Sequence, residues 1–410
     1  MSYYDVLEIR DPGEREAASI ACLPDQIAHA KKNAPAYAAL FTDVDPRSVT
    51  SRGALARLPV IRKSELLERQ AADRPFGGFA AIGWHGALRV FASPGPLYEP
   101  EGARPDYWRL ARALYAAGFR KGDLAHNCFA YHFTPAGSMM ETAAHAVGCT
   151  VFPGGVGQTE QQVQAMLDLK PDGYVGTPSF LKIILEKADE MGVRVASLTK
   201  ALVSGEPFPP SLRDWVAARG IQAFQAYATA DLGLIAYETE AREGLVTDEG
   251  IILEIVRPGT GDPVEEGEVG EVVVTTFNPD YPLIRFGTGD LSAVLPGKSP
   301  CGRTNKRIRG WLGRADQTTK IKGMFVHPSQ VAAVLRRHTE IKKARLVVDN
   351  PEGNDCMTLH CEVGGGSNAL TQAIAGSIRD VTKLRGEVRL CAPGSLPNDG
   401  KVIDDVRMYD

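Results

Sequence analysis

The chain has 410 residues, 44% of them hydrophobic, and 46 Lys and Arg against 50 Asp and Glu leave a net charge of −4, so it can bury a large core and is expected to form two or three folding units. That balance supplies no basic field for nucleic acid or anionic lipid, no apolar run approaches the roughly 20 residues of a membrane helix, and the start Met1-Ser2-Tyr3-Tyr4-Asp5 lacks a secretory pattern; a cytoplasmic protein with neither nucleic-acid nor membrane partners is expected. Seven cysteines without a C-x-x-C pair, and eight scattered histidines without H-E-x-x-H, argue for reduced, mostly buried thiols and against a zinc centre.

Residues 1–90 mix short helical patterns with Pro and Gly punctuation, and residues 28–40 suggest an amphipathic helix interrupted by Pro35. From Cys149 the pattern alternates. An apolar strand Cys149-Thr-Val-Phe-Pro153 and a Gly-rich turn lead to a helix announced by Thr159 and Gln162 as a capping box, with Val163, Met166 and Leu167 on one side. A second helix has Thr177 as N-cap and Pro178 in its first turn, carries Phe180, Leu181, Ile184, Leu185 and Ala188 at helical spacing, and stops at Gly192. A strand at 201–203, a helix at 211–219 and a strand at 221–227 continue the alternation of a mostly parallel α/β sheet.

After Gly250 the pattern changes to β-segments at 251–256, 268–276 and 283–286, a β-rich subdomain. From Gly313, strands at 318–321, 344–348 and 357–363 and helices at 329–337 and 368–384 predict an α+β unit of about 100 residues. The expected fold class is therefore α/β: a large N-terminal part with mixed and parallel sheets and a β-rich subdomain, then a small C-terminal α+β domain.

Four segments carry a resemblance. Gly313-Arg-Ala-Asp316 with the following Thr-Lys-Ile-Lys-Gly-Met-Phe-Val-His-Pro328 resembles the hinge of adenylate-forming enzymes. Tyr281-Pro-Leu-Ile-Arg-Phe-Gly-Thr-Gly-Asp290 is similar to their R-Y-R-T-G-D, Tyr227-Ala-Thr-Ala-Asp231 to their Y-G-x-S-E, and Leu396-Pro-Asn-Asp-Gly-Lys401 to their C-terminal lysine segment. Gly148-Cys-Thr-Val-Phe-Pro-Gly-Gly-Val-Gly-Gln-Thr-Glu-Gln-Gln-Val163, Lys170-Pro-Asp and Gly176-Thr-Pro-Ser179 look like the phenylacetate–coenzyme A ligase branch, and the resemblance spans roughly residue 127 to the C-terminus.

The resemblance implies an AMP-forming carboxylate–coenzyme A ligase using ATP, Mg²⁺ and coenzyme A on a small, aromatic acid such as phenylacetate. It places an adenylation domain over residues 1–314 and a small mobile domain over 315–410, pivoting near Asp316; a homodimer is compatible with it. Lys401 would be the cation that neutralises charge as the acid attacks the α-phosphorus. Asp231 is the second catalytic position and the magnesium position. Asp290 would accept from both ribose hydroxyls, and Arg303 or Arg314 would offer a forked guanidinium to phosphate or ribose. Ser93, Gly95, Gly205, Glu206, Tyr227, Ala228 and Thr229 complete the nucleotide set. Tyr131, Phe133, Ser204 and Tyr227 form the wall of the acid pocket, where aromatic rings suit an aromatic acid.

The phosphate loop departs from the family. Where relatives read S-S-G-T-T-G-K-P, this chain has Phe91-Ala-Ser-Pro-Gly-Pro-Leu-Tyr-Glu-Pro100. Pro94 and Pro96 remove two N–H donors, the lysine is absent, and Glu99 brings the opposite charge. Asp231 is one methylene shorter than the usual glutamate, and at the zinc positions of some relatives stand Thr239, Val246 and only Cys301. The alternative reading is a catalytically degenerate aryl-acid or adenylate binding protein of the same fold. Retention of Lys401 favours the enzyme, since a pure binder has little use for a transition-state cation.

Overall fold

The computed structural model describes residues 2–407 apart from 95, 258–259, 313–314, 316–318, 323, 327, 352–354 and 398–400. Asp11 accepts from the N–H groups of Gly13 and Glu14, and Pro12 occupies the first turn, where a missing N–H costs nothing, so α1 (Pro12–Asn33) is capped at its start. Pro35 opens α2 (Pro35–Leu40), and the helix expected over 28–40 is two helices that meet at Ala34. After α3 (Arg52–Ala56), a two-residue strand β1 (Ile61–Arg62) runs directly into α4 (Lys63–Ala72). A hairpin of β2 (Arg89–Ser93) and β3 (Leu97–Glu101) follows, with Pro94 and Pro96 in its tip.

Next come α5 (Ala111–Ala116), β4 (Leu124–Asn127), α6 (Ala136–Val147), β5 (Thr150–Phe152), α7 (Thr159–Leu169), β6 (Gly173–Gly176), α8 (Pro178–Glu190), β7 (Lys200–Val203), α9 (Pro210–Ala217) and β8 (Gln222–Thr229). The five strands pair in parallel in the order β5-β4-β6-β7-β8. Alternation along β7 explains the layers. Leu202 joins the apolar cluster of Met139 and Ala143 on α6, whereas Ala201 and Val203 join that of Val163 on α7 and Leu181 and Ile184 on α8. Helices thus cover both faces, which is why this strand is apolar without a polar side.

The sheet turns antiparallel at β9 (Gly233–Glu238) and β10 (Leu245–Thr247). A second sheet collects β11 (Ile251–Val256), β12 (Gly270–Thr276) and β13 (Phe286–Ser292), and β14 (Val294–Leu295) and β15 (Arg307–Ile308) close the edge of the first. The second sheet has the order β1-β13-β12-β11, and β1 lies parallel to β13 with Ile61 opposite Phe286. That pairing draws the N-terminal region onto the β-rich subdomain.

Arg285, inside the stretch read as R-Y-R-T-G-D, is 1% exposed. Its Nε pairs with Glu254 at 3.1 Å, and its remaining N–H groups serve the carbonyls of Ala56, Leu58 and Gly261. It is a structural cross-brace. Arg285→Met should cost about 3–5 kcal/mol in denaturant unfolding, because Glu254 and three carbonyls would stay buried without their donor; a loss under 1 kcal/mol would contradict this.

The chain divides into two units, Met1–Thr288 with Ser292–Trp311, and Gly289–Leu291 with Leu312–Asp410. The second contains a hairpin of β16 (Thr319–Ile321) and β17 (Met324–Val326), then α10 (Pro328–Arg337), β18 (Ile341–Asp349), β19 (Cys356–Val363), α11 (Asn368–Thr382), β20 (Glu387–Cys391) and β21 (Ile403–Asp405). Its sheet has the order β20-β19-β18-β21, packed by Val334, Leu346, Leu359, Ile374 and Ile378. No helix among the described residues is long and apolar enough to cross a membrane.

Candidate active site

In a parallel α/β sheet, ligands sit beyond the carboxyl ends of the strands. β4 ends at Asn127, whose Nδ2 donates to the Tyr131 hydroxyl at 2.7 Å and to the Gly137 carbonyl at 2.9 Å. Tyr131 is half-buried, and burial pushes its hydroxyl well above the usual tyrosine range. Phe133, by contrast, is 76% exposed, with φ of 61°. Its ring lies in solvent rather than in a wall, and its carbonyl accepts from the Ala92 N–H of the hairpin. Beyond β7, Ser204 Oγ donates to the Ala226 carbonyl at 2.8 Å, and Gly205 takes φ of 87°, a left-handed turn that suits glycine. Glu206 accepts from the Ser179 N–H at 2.7 Å in the first turn of α8, where a carboxylate favours the positive end of the helix.

On β8, the Tyr227 hydroxyl donates to Thr288 Oγ1 at 3.2 Å. A register shift follows between Tyr227 and Ala228, and Thr229 Oγ1 accepts from the Leu232 N–H at 3.2 Å. Gly233 closes the turn at φ of 73°, with the Trp108 carbonyl 2.6 Å from where a Cβ would stand. Only glycine fits both constraints. The turn directs Asp231 inward, and its side chain is 1% exposed.

Asp231 meets a cation that the sequence reading missed. Lys63 Nζ, at the start of α4, lies 3.0 Å from Asp231 Oδ2 and is 37% exposed. Helical spacing sets it there. Lys63, Leu66 and Gln70 share one face, and Gln70 both accepts from the Tyr98 N–H and donates to its carbonyl, fixing α4 against β3. Next to Tyr98, Glu99 is fully buried, and Ser93 Oγ donates to its Oε1 at 2.5 Å. Burial first, then the Asp231 charge, push Glu99 up to about 8. This tempers the reading of Glu99 as an opposing charge: burial favours its uncharged form. No motif spacing joins Lys63 to Asp231; the signal lies in the pairing of β1 with β13 and of α4 with β3.

Other expected groups lie elsewhere. Arg303 is 3% exposed, its Nε pairs with Glu8 at 2.8 Å, and Tyr3 and Tyr237 lie close to its guanidinium. Its guanidinium anchors the N-terminal segment instead of standing open to a nucleotide. Asp290 is buried on β13. Lys401 Nζ pairs with Asp404 at 2.8 Å, and its side chain is 53% exposed. Gly95, Arg314 and Asp316 lie outside the described residues. Arg104 and Arg109, which follow the hairpin, are committed to Asn278 and Asp280 and to Asp248 respectively.

A resident divalent ion fits poorly. Asp231 is already neutralised by Lys63, whose ammonium would repel a metal at that carboxylate, and no group of three His, Cys, Asp or Glu among the described residues could hold one.

Residues 110–278 match the AMP-binding enzyme family. The chain is 30% identical to a phenylacetate-coenzyme A ligase of Thermus thermophilus over 97% of each chain, and 29% identical to one of Aromatoleum evansii over 95% of this chain and 93% of the other. Among solved structures it resembles a 2-hydroxyisobutyryl-CoA ligase in complex with 2-HIB-AMP and CoA in the thioesterification state, with a TM-score of 0.75, 25% identity and coverage of 98% and 92%. With its parallel sheet, its motif-bearing turns and a similarity that runs nearly end to end, the chain belongs to the phenylacetate–coenzyme A ligase family.

Proposed function

We propose that this protein is an ATP-dependent, AMP-forming carboxylate–coenzyme A ligase acting on a small, aromatic acid. The observation that carries the reading is the full-length similarity to phenylacetate-coenzyme A ligases, with the four motifs in order. In the first step a carboxylate oxygen of the acid attacks the α-phosphorus of ATP. The bond to the bridging oxygen breaks, and pyrophosphate leaves. In the second, the coenzyme A sulfur attacks the acyl carbon, the thiol proton is lost, and AMP leaves with the C–O electron pair.

Tyr131 and Ser204 border the acid, Tyr227, Gly205, Glu206, Ala228 and Thr229 the nucleotide, and Asp290 the ribose diol. Ser93 and Lys63 face the phosphates. Lys401 supplies the positive charge that grows in importance as the adenylate forms. Because Asp231 is engaged by Lys63, Mg²⁺ enters as the counter-ion of the triphosphate rather than through a protein cage.

Burial pushes the Glu99 carboxyl up to about 8, which weakens the objection that its formal charge opposes the phosphates. Pyrophosphate release measured over a panel of aryl and short acyl acids, with and without coenzyme A, tests the reading. Aryl acids should be preferred, and coenzyme A should convert the adenylate to thioester. Absence of pyrophosphate release with every acid would sink it.

A further inference from the structure

Arg15, Glu16 and Ser19 follow one another along a single stripe of α1, and that stripe forms one wall of a cavity of about 70 Å³ inside the first unit. Arg52 at the start of α3, Thr247 at the end of β10 and the segment 304–306 close the other sides. A water molecule needs about 10–15 Å³, so the space suits several waters or one small oxyanion. None of these residues belongs to the candidate active site.

The hydrogen-bonding groups around it are unevenly matched. Both carboxylates are engaged: Glu249 accepts from Arg10 at 3.0 Å, from Arg15 Nε at 2.9 Å and from Asn305 at 3.2 Å, and Glu16 accepts from Arg52 through both oxygens, at 2.6 and 2.8 Å. Donors are left over. Arg15 is 7% exposed, and although its Nη2 serves the Leu7 carbonyl and Thr304, its Nη1 has no partner. Thr247 Oγ1, on a residue 4% exposed, has none either. The Lys306 ammonium makes no hydrogen bond or ion pair among the described residues, and desolvation, then the Arg52 charge, pull it below the usual lysine range. Three cations therefore line the cavity against two carboxylates, and Arg10 adds a further positive charge behind Glu249. Asp11, at the start of α1, is turned to the N–H groups of Gly13 and Glu14.

We propose that this cavity is a binding site for a small oxyanion of the inorganic phosphate class, separate from the candidate active site. Oxygens of the anion accept from Arg15 Nη1, Thr247 Oγ1 and Lys306 Nζ, and its charge answers the cationic surplus. Water fills the role less well, because each molecule brings two protons along with its oxygen, whereas an oxyanion brings acceptors with few or none. Buried donors left without an acceptor are costly, and one ligand satisfies two of them at once. Held in this way, α1, β10 and the segment 304–306 are tied together through the anion, so the folded protein gains stability in proportion to its occupancy.

Thermal denaturation and calorimetry of the full chain test this, with inorganic phosphate compared against chloride at equal ionic strength. Phosphate should raise the Tm where chloride does not, and the titration should be unchanged by saturating AMP. Lys306→Gln alters a side chain that reaches solvent and should leave the fold intact while weakening phosphate about ten-fold, the effect of losing one charge-assisted hydrogen bond. Thr247→Val keeps the shape without the hydroxyl and should also weaken it. Equal phosphate affinity in the wild type and both variants would overturn the proposal. So would stabilisation by chloride to the same extent, which is screening alone, or displacement of phosphate by AMP, which would put the anion in the candidate active site. Neither heat nor a shift in Tm with phosphate would mean that the cavity takes water only, and the proposal would fall.

Discussion

Lys401→Ala is expected to lower acyl-adenylate formation by roughly 10²–10³-fold, the usual effect of removing one group aimed at developing transition-state charge, while AMP binding and the fold persist. The fold should persist because the side chain is 53% exposed and its partner Asp404 is three residues away at 2.8 Å. A surface pair of that kind contributes about 0–1 kcal/mol. AMP binding should persist because a lysine used mainly as charge develops adds little in the ground state. Pyrophosphate release would report the chemistry, calorimetry with AMP the binding, and thermal denaturation the fold. Full pyrophosphate release by Lys401→Ala would show that the C-terminal lysine is an ordinary surface residue.

Much of the α/β core could be read from the sequence because its signals are local. The Thr177 cap and Pro178 start α8 as expected, since a side-chain oxygen satisfies the Phe180 N–H. The helix from Thr159 forms as well, but without the capping box: its cap is Gln158 in a left-handed conformation with no side-chain bond, and Gln162 instead reaches the carbonyls of Gly154, Gly155 and Gly157 and meets His126. Tertiary contacts captured that side chain. Residues 1–90 were nearly silent for a different reason. Their structure depends on pairings across more than 160 residues, Ile61 with Phe286 and Lys63 with Asp231, which no periodicity announces.

Charge roles were hardest to foresee. Arg303 and Arg285 carry the guanidinium that phosphate sites favour, yet each is buried on a glutamate, Glu8 and Glu254, and a buried cation with a matched anion serves the fold. Glu99 has the sign that a phosphate loop should avoid, and burial shifts it toward the uncharged form. A linear sequence shows formal charge; the site is governed by charge after desolvation.

That distinction gives the second large effect. Lys63→Met should weaken ATP binding by roughly 10²-fold or more, the consequence of losing about 3 kcal/mol of charge-assisted contact, and should also destabilise the protein. Asp231, 1% exposed, would be left buried and unpaired beside Glu99, whose ionisation it already opposes. Breaking a buried pair costs about 3–5 kcal/mol, and the exposure of Lys63 points to the lower end of that range. The two losses can be separated. Adding Asp231→Asn to Lys63→Met removes the stranded charge, so the double variant should recover most of the stability in denaturant unfolding yet still bind ATP poorly. AMP affinity should change less than ATP affinity in both variants, because the proposed function assigns this lysine to the β- and γ-phosphates that AMP lacks. If Lys63→Met unfolds readily while its ATP affinity, measured on the folded fraction, matches that of the wild type, then Lys63 serves only to neutralise Asp231. The phosphates would then be met by another group.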